Sequence, residues 1–108
     1  MFLIVTKYLI PKGFRGFTAF PFVFVKYALD KENPVFVNHE RIHLRQQLEL
    51  LIIPFFILYL MEFLVRLIQY RNWDLAYRNI SFEREAYANE KEFGYLKQRT
   101  FWRFLKYI

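Results

Sequence analysis

The chain has 108 residues, of which 56% are hydrophobic and 22% aromatic, enough apolar side chains for the core of one small domain. It contains no cysteine, which excludes disulfide frameworks, cysteine zinc fingers, iron–sulfur clusters and thiol nucleophiles. Its net charge of +6 favours anionic partners, but basic residues form no long run and no nucleic-acid-binding motif is recognisable, so we expect no nucleic-acid partner.

The first third of the chain has the composition of β-structure. Residues 2–10 are rich in β-branched and aromatic side chains and predict a strand, followed by a turn at residues 11–13. A second strand is expected over residues 16–27. Pro21 within this run favours an edge strand or a bulge, because proline cannot donate a hydrogen bond to a sheet. We therefore expect a small N-terminal antiparallel hairpin or sheet.

The rest of the chain has the pattern of helices. Asn33 and Pro34 are typical of an N-cap and a first helical residue, and the helix that they start should run to Ile53, before Pro54. Residues 72–74 form a predicted connector. Three further helices are predicted, over residues 55–70, 81–93 and 95–107. The predicted fold class is α+β, with the sheet packed on three or four helices in a single domain, residues 1–108.

The second predicted helix raises the question of membrane contact. Its uninterrupted apolar stretch, residues 50–61, has twelve residues, which is short for a bilayer crossing. Glu62 and Arg66 follow and can pair on one helix face. We favour a soluble core helix and leave open an interfacial helix or a membrane span. Because no targeting peptide is evident, we expect a cytoplasmic protein, with membrane association left open.

An H-E-x-x-H motif lies inside the first predicted helix. Residues 39–43 read His39-Glu40-Arg41-Ile42-His43, and these two histidines are the only ones in the chain. Positions four apart lie one turn apart on the same helix face, so both imidazoles can reach one metal ion. Glu40 cannot easily join them as a ligand, but its carboxylate can reach a metal-bound water. Metal-assisted hydrolysis needs this combination of a Lewis acid and a base.

A third ligand is needed, because a catalytic zinc ion usually has three protein ligands and one open position. With no third histidine and no cysteine, this ligand must be a carboxylate. The segment 81–90 is the most promising, since its small alanines allow close helix packing. By helical angle Glu83 lies about 60° from Ala86 and Glu85 about 100°, so Glu83 is preferred and Glu85 is the second candidate.

H-E-x-x-H followed on a later helix by E-x-x-A resembles the gluzincin zinc metallopeptidases. The details are most similar to the prenyl-protein-type endopeptidases and to minimal gluzincins of about this length, and they span residues 38–89. The resemblance implies that His39, His43 and Glu83 bind Zn²⁺ and that Glu40 is the general base. It also implies a peptide or protein substrate, held in extended form on an edge strand near the motif helix, for which residues 17–27 are the match.

Three residues near the motif need separate interpretation. The endopeptidase pattern has an Asp where this chain has Tyr87. We interpret Tyr87 as a half-buried tyrosine, with a hydrogen bond to a ligand or to an oxyanion as the alternative. Gln46 and Gln47 follow the motif and are candidates for hydrogen bonds that support its histidines.

The leading hypothesis is a zinc-dependent metallohydrolase, specifically a small metallopeptidase that uses a metal-activated water and a Glu general base. The alternative is a non-catalytic metal-containing adaptor, which binds a membrane surface or a partner protein through its apolar helix and basic C-terminus. Self-association is left open in both cases, because a domain this small leaves apolar surface exposed.

Overall fold

A computed structural model describes residues 2–6, 8, 10 and 15–108, and within them the fold is α+β, as predicted. The predicted turn at residues 11–13 lies outside the described residues. The strands are β1 (Phe2–Val5), β2 (Gly16–Ala19) and β3 (Phe22–Val25), and the helices are α1 (Pro34–Glu49), α2 (Ile53–Tyr70), α3 (Trp73–Arg78), α4 (Ser81–Asn89) and α5 (Tyr95–Gln98). Two 3₁₀ helices, Ala28–Glu32 and Arg103–Tyr107, precede α1 and follow α5.

The three strands form a mixed sheet of order β1-β3-β2. The antiparallel expectation is correct for β2 and β3 but wrong for β1, which runs parallel to β3 with Phe2 opposite Phe22. The predicted second strand is two strands, because the chain reverses at Phe20 and Pro21. Pro21 therefore lies in the turn, where its missing N–H costs no ladder bond and its carbonyl oxygen accepts from Phe2 N at 3.0 Å.

Helix α1 begins where the sequence predicts. The Asn33 side chain accepts hydrogen bonds from Val35 N at 3.1 Å and Phe36 N at 3.2 Å. The helix ends at Glu49, earlier than predicted, because Leu51 and Ile52 have φ angles of 60° and 42° and reverse the chain. Pro54 then falls in the first turn of α2, where a missing N–H is harmless.

The C-terminal half differs from the prediction in three places. The predicted connector at residues 72–74 begins the short helix α3, because the Asn72 side chain accepts from Leu75 N at 3.0 Å. Helix α4 ends at Asn89 rather than near residue 93. The predicted helix over 95–107 is interrupted at Arg99, whose extended backbone separates α5 from the last 3₁₀ helix.

Helix α1 lies between the sheet and α4, and it is buried largely through polar side chains. On the sheet side Leu44 packs with Val23 and Val25 in one small core cluster. The buried polar residues of α1 are Asn38, His39, Glu40, His43, Gln46 and Gln47. Buried polar side chains are costly unless they are hydrogen-bonded or bind an ion, so this helix marks the place to look for a functional site.

Helix α2 has the opposite character. It is long and apolar enough to cross a membrane by length and composition, yet only Phe55 among its 18 residues is buried. Phe55 joins Ile80, Phe82 and Phe104 in a second core cluster. The expectation that α2 is a core helix is therefore wrong, because most of its apolar side chains are exposed.

Candidate metal centre

Three potential ligand atoms converge between α1 and α4. His39 Nε2 lies 3.2 Å from His43 Nε2, and Glu83 Oε1 lies 3.1 Å and 3.0 Å from these two nitrogens. All three side chains are buried. Ligands placed tetrahedrally at zinc-bonding distances would be about 3.3 Å apart. The spacing of the three atoms therefore fits a single zinc ion.

The opposite edges of both imidazoles are held by hydrogen bonds. His39 Nδ1 lies 2.8 Å from Glu90 Oε2, and His43 Nδ1 lies 2.8 Å from Gln46 Oε1. The Gln46 amide nitrogen donates to Phe82 O at 3.0 Å, which orients its oxygen toward His43. Because the Nδ1 atoms are donors here, both Nε2 lone pairs face the Glu83 carboxylate. Without a proton, three acceptors this close would repel one another, so the arrangement favours either a proton or a metal ion between them.

The ionisation of the cluster agrees with this arrangement. Burial alone would lower the pKa of His43, but the charge and hydrogen bond of Glu83 outweigh burial and raise this pKa to about 9. Burial would likewise raise the pKa of Glu83, yet the neighbouring imidazoles hold it well below its usual range. In the metal-free protein a proton on His43 thus supplies the positive charge beside Glu83. A divalent ion would take the place of this proton.

Tyr59 from α2 fixes the orientation of the Glu83 carboxylate. Its hydroxyl donates to Glu83 Oε2 at 2.6 Å, which leaves Oε1 for the histidines. Burial and the Glu83 charge raise the pKa of Tyr59 far above its usual range, so the phenol stays a donor. Glu83 is thereby arranged to offer a single oxygen to an ion.

Glu40 lies on the sheet side of the same cluster. Its carboxylate is buried and accepts a hydrogen bond from the Thr18 hydroxyl of β2. Gly16 lets β2 approach α1 closely, because a Cβ atom there would lie 2.6 Å from the Phe36 ring and 3.3 Å from Glu40 Oε1. Glu40, His43 and Glu83 line one cavity, so the predicted base and two predicted ligands share the same space.

Glu85, the second candidate for the third ligand, lies outside this group. Its carboxylate accepts hydrogen bonds from Arg99 Nε and from Arg99 Nη2, the latter at 3.1 Å. Tyr95 and Gln46 also donate to it, at 2.6 Å and 3.0 Å. These partners belong to the C-terminal segment and the inner face of α1. The structure therefore brings Glu83, and not Glu85, to the two histidines.

Two cavities adjoin the cluster, one of about 430 Å³ and one of about 790 Å³. Glu40, Tyr59 and Tyr77 line both of them, so the two form one cleft across the cluster. The smaller cavity is rich in aromatic side chains; its apolar lining includes Phe17, Phe55, Phe56 and Phe63. Burial and the Glu83 charge raise the pKa of Tyr77 far above its usual range, so it too remains a protonated phenol.

Strand β2 is the sheet edge nearest to the cluster, and Gln47 covers part of it. The Gln47 side chain donates to Thr18 O at 2.7 Å and accepts from Phe20 N at 2.6 Å. The proposed support of the histidines by Gln47 is therefore wrong, whereas that by Gln46 is confirmed for His43.

Sequence reasoning missed three residues that hold the cluster: Thr18, Tyr59 and Glu90. Thr18 and Tyr59 come from other elements, and no spacing in the chain links them to the motif. Glu90 follows Glu83 by seven residues, a two-turn spacing that could have placed both on one helix face. Tyr87 is half-buried, as interpreted; its ring packs 4.6 Å from that of His39, and its hydroxyl lies 3.4 Å from the Tyr77 hydroxyl.

Comparison with known proteins adds no assignment: no family model, no curated protein and no solved structure matches the chain. The functional argument therefore depends on the geometry and chemistry of the residues described above.

Proposed function

We propose that this protein is a zinc-dependent metallopeptidase of the gluzincin type. In this proposal His39, His43 and Glu83 hold the zinc ion and Glu40 is the general base. The observation that carries it is the convergence of two imidazole Nε2 atoms and one carboxylate oxygen within 3.2 Å of one another. Their other polar atoms are already occupied by Glu90, Gln46 and Tyr59.

Each residue has a defined task in peptide-bond hydrolysis. Zinc, when bound, supplies a Lewis acid that lowers the pKa of water and polarises a carbonyl group. Glu40 accepts the proton of the attacking water and delivers it to the leaving amine, while Thr18 holds one of its carboxylate oxygens in place. In this proposal the Tyr77 phenol, which lines the same cleft, turns to donate to the carbonyl oxygen as negative charge develops there.

The cleft supports a peptide substrate with a large apolar side chain. The smaller cavity has the volume and the aromatic lining to take such a side chain beside the cluster. Backbone pairing near Gly16 with β2, which is an edge strand among the described residues, would keep the peptide extended across Glu40.

The variant Glu40→Gln tests this proposal. It keeps the shape of the side chain and removes the base, so zinc content should equal that of the unchanged protein. Hydrolysis of a mixed peptide library, followed by mass spectrometry, should fall at least about 100-fold. Glu92→Gln, the same change at an exposed position, is the control and should keep full activity.

Two outcomes would contradict the assignment. Loss of zinc in Glu40→Gln would mean that Glu40 is a ligand and not the base. Unchanged hydrolysis with unchanged zinc would mean that another group accepts the proton. If the unchanged protein binds zinc but cleaves no peptide of the library, the second candidate, a metal-containing adaptor, is favoured; the exposed apolar helix α2 is the observation that supports it.

A further inference from the structure

The exposed side chains of α2 are apolar except for Gln69, near the end of the helix. At 100° per residue, eight of them occupy an arc of about 160° around the helix. We call this surface the α2 outer face; its residues are Ile53, Ile57, Leu58, Leu60, Met61, Leu64, Val65 and Ile68. Their exposure ranges from 42% for Leu58 to 79% for Ile68. A patch of this size on a small protein indicates a surface that meets an apolar partner.

The charged residues of α2 point the other way, into the protein. The Glu62 carboxylate accepts from Ser81 N at 2.8 Å and from Ser81 Oγ at 2.7 Å, at the start of α4. Arg66 lies 3.8 Å from Glu62 and shares its side of the helix. A helix on the surface of a water-soluble protein has the reverse arrangement, with its polar face outward.

A second exposed apolar surface lies beside the start of α2. The backbone N–H of Trp102 donates to Glu49 Oε2 at 3.1 Å, which fixes the C-terminal segment to the last residue of α1. The three-residue link from α1 to α2 contains Leu51, which is 76% exposed. Phe101, Trp102 and Leu105 are exposed in the segment that this bond holds beside the link.

This second surface is also cationic. Residues 99–108 contain Arg99, Arg103 and Lys106 and no acidic residue. Arg99 is buried against Glu85, whereas Arg103 is half-buried and Lys106 is exposed. Exposed aromatic and basic side chains in one segment match the headgroup region of an anionic bilayer, where each cation contributes about 1 kcal/mol near the surface.

We propose that the α2 outer face and the segment 99–108 together bind the surface of an anionic phospholipid bilayer, with α2 lying in the plane of the interface. A flat orientation follows from the packing, because the inner side of α2 is covered along its length. Phe55 packs on Phe82 with ring centroids 4.7 Å apart near one end, and Phe63 packs on Trp73 at 5.2 Å further along. A second copy of the chain is a poorer occupant, since two chains of charge +6 would bring their basic segments together.

Vesicle sedimentation tests this proposal with the full chain. The protein should bind vesicles of phosphatidylcholine mixed with phosphatidylglycerol, and bind vesicles of phosphatidylcholine alone more weakly. Leu64→Lys, in the middle of the outer face, should weaken vesicle binding at least about tenfold. It places a charge where the bound protein would bury an apolar side chain in the bilayer. Leu29→Lys is the matched control, since Leu29 is 81% exposed on the 3₁₀ helix Ala28–Glu32, and its binding should not change.

Three results would overturn the proposal. Equal vesicle binding by Leu64→Lys and Leu29→Lys, with both variants folded by circular dichroism, would exclude the α2 outer face. A dimer in sedimentation equilibrium that Leu64→Lys converts to a monomer, with no vesicle binding, would make a second copy the occupant. Resistance of the membrane-bound protein to alkaline carbonate extraction would mean that α2 spans the bilayer rather than lying at its surface.

Discussion

The Nδ1 atoms of the two imidazoles, on the side of each ring away from Glu83, donate to different kinds of acceptor. His39 is held by the carboxylate of Glu90 and His43 by the amide oxygen of Gln46. A carboxylate makes an imidazole a stronger metal ligand and fixes its ring. Asn38 positions Glu90 by donating to its backbone carbonyl at 2.8 Å. Glu90 should therefore strengthen zinc binding without touching the ion.

The variant Glu90→Gln isolates this contribution. Glutamine can still accept a hydrogen bond from His39 but carries no charge, so zinc affinity should fall about 10- to 100-fold. The number of zinc ions per chain at saturation should not change. Competition with a chromogenic chelator measures the affinity, and Glu92→Gln provides a control at an exposed position two residues away. Equal affinities in the two variants would show that Glu90 has no such role.

The residues of the cluster differ in how far the sequence could predict them. His39, Glu40 and His43 lie on one helix, so their spacing alone places them together. Glu83 required the further condition that a third ligand be a carboxylate on a closely packed helix. Thr18 and Tyr59 could not be predicted, because their contacts depend on how the sheet and α2 pack around α1.

Among the elements, a buried ion network joins the C-terminal segment to α1 and α4. The Arg99 side chain is fully buried between Glu85 and Glu49, with Arg99 Nη1 lying 2.6 Å from Glu49 Oε2. Gln46 donates to Glu85 and also accepts from His43, so the network reaches the candidate metal centre. The conformation of segment 99–108 thus depends on the same residues that orient one of the histidines.

The variant Glu85→Gln should destabilise the fold by about 3 kcal/mol at neutral pH, because it leaves part of the buried Arg99 charge unpaired. Burial would raise the pKa of Glu85, but the hydrogen bonds from Arg99, Tyr95 and Gln46 lower it below its ordinary value of 4.5. The stabilisation from Glu85 is therefore complete above pH 4.5 and is lost as the pH falls through the lowered pKa.

Urea unfolding at several pH values measures this effect. The free energies of unfolding of Glu85→Gln and of the unchanged protein should converge as the pH falls below 4.5. A difference that stays constant through that range would contradict the account. Zinc should still bind to the folded variant, because Glu85 is not one of the proposed ligands.

Short sequence motifs predicted where helix α1 begins better than where it ends. Asn33 and Pro34 gave the start of α1 correctly, because a cap depends only on neighbouring residues. The end of α1 depends on the reversal at Leu51 and Ile52, two apolar residues with no turn signature. The parallel pairing of β1 with β3 could not be predicted from the sequence either, because strand direction depends on contacts between residues distant in the chain.

Across the whole molecule, the usual places of polar and apolar helices are exchanged. Helix α1 buries polar side chains around the candidate metal centre, whereas α2 exposes apolar side chains on its outer face. Composition alone would assign α2 to the core, which is why the sequence-based expectation failed. A metal ion would compensate for the burial of polar side chains on α1. A bilayer surface would cover the exposed apolar side chains of α2.

Leu60 connects the two proposals in space. It belongs to the α2 outer face and also lines the smaller cavity beside Glu40, His43 and Glu83. A membrane-bound protein would therefore hold its cleft near the lipid surface. The two proposals nevertheless fail independently, because vesicle binding can be measured without zinc and zinc binding without vesicles.

Zinc content per chain tests the central claim most directly. Protein stripped with a chelator, reloaded with excess zinc and desalted should retain one zinc ion per chain by mass spectrometry of the metal. His43→Ala, confirmed as folded by circular dichroism, should retain almost none, because two ligands hold zinc far more weakly than three. An unchanged protein that retains no more zinc than His43→Ala would contradict the account.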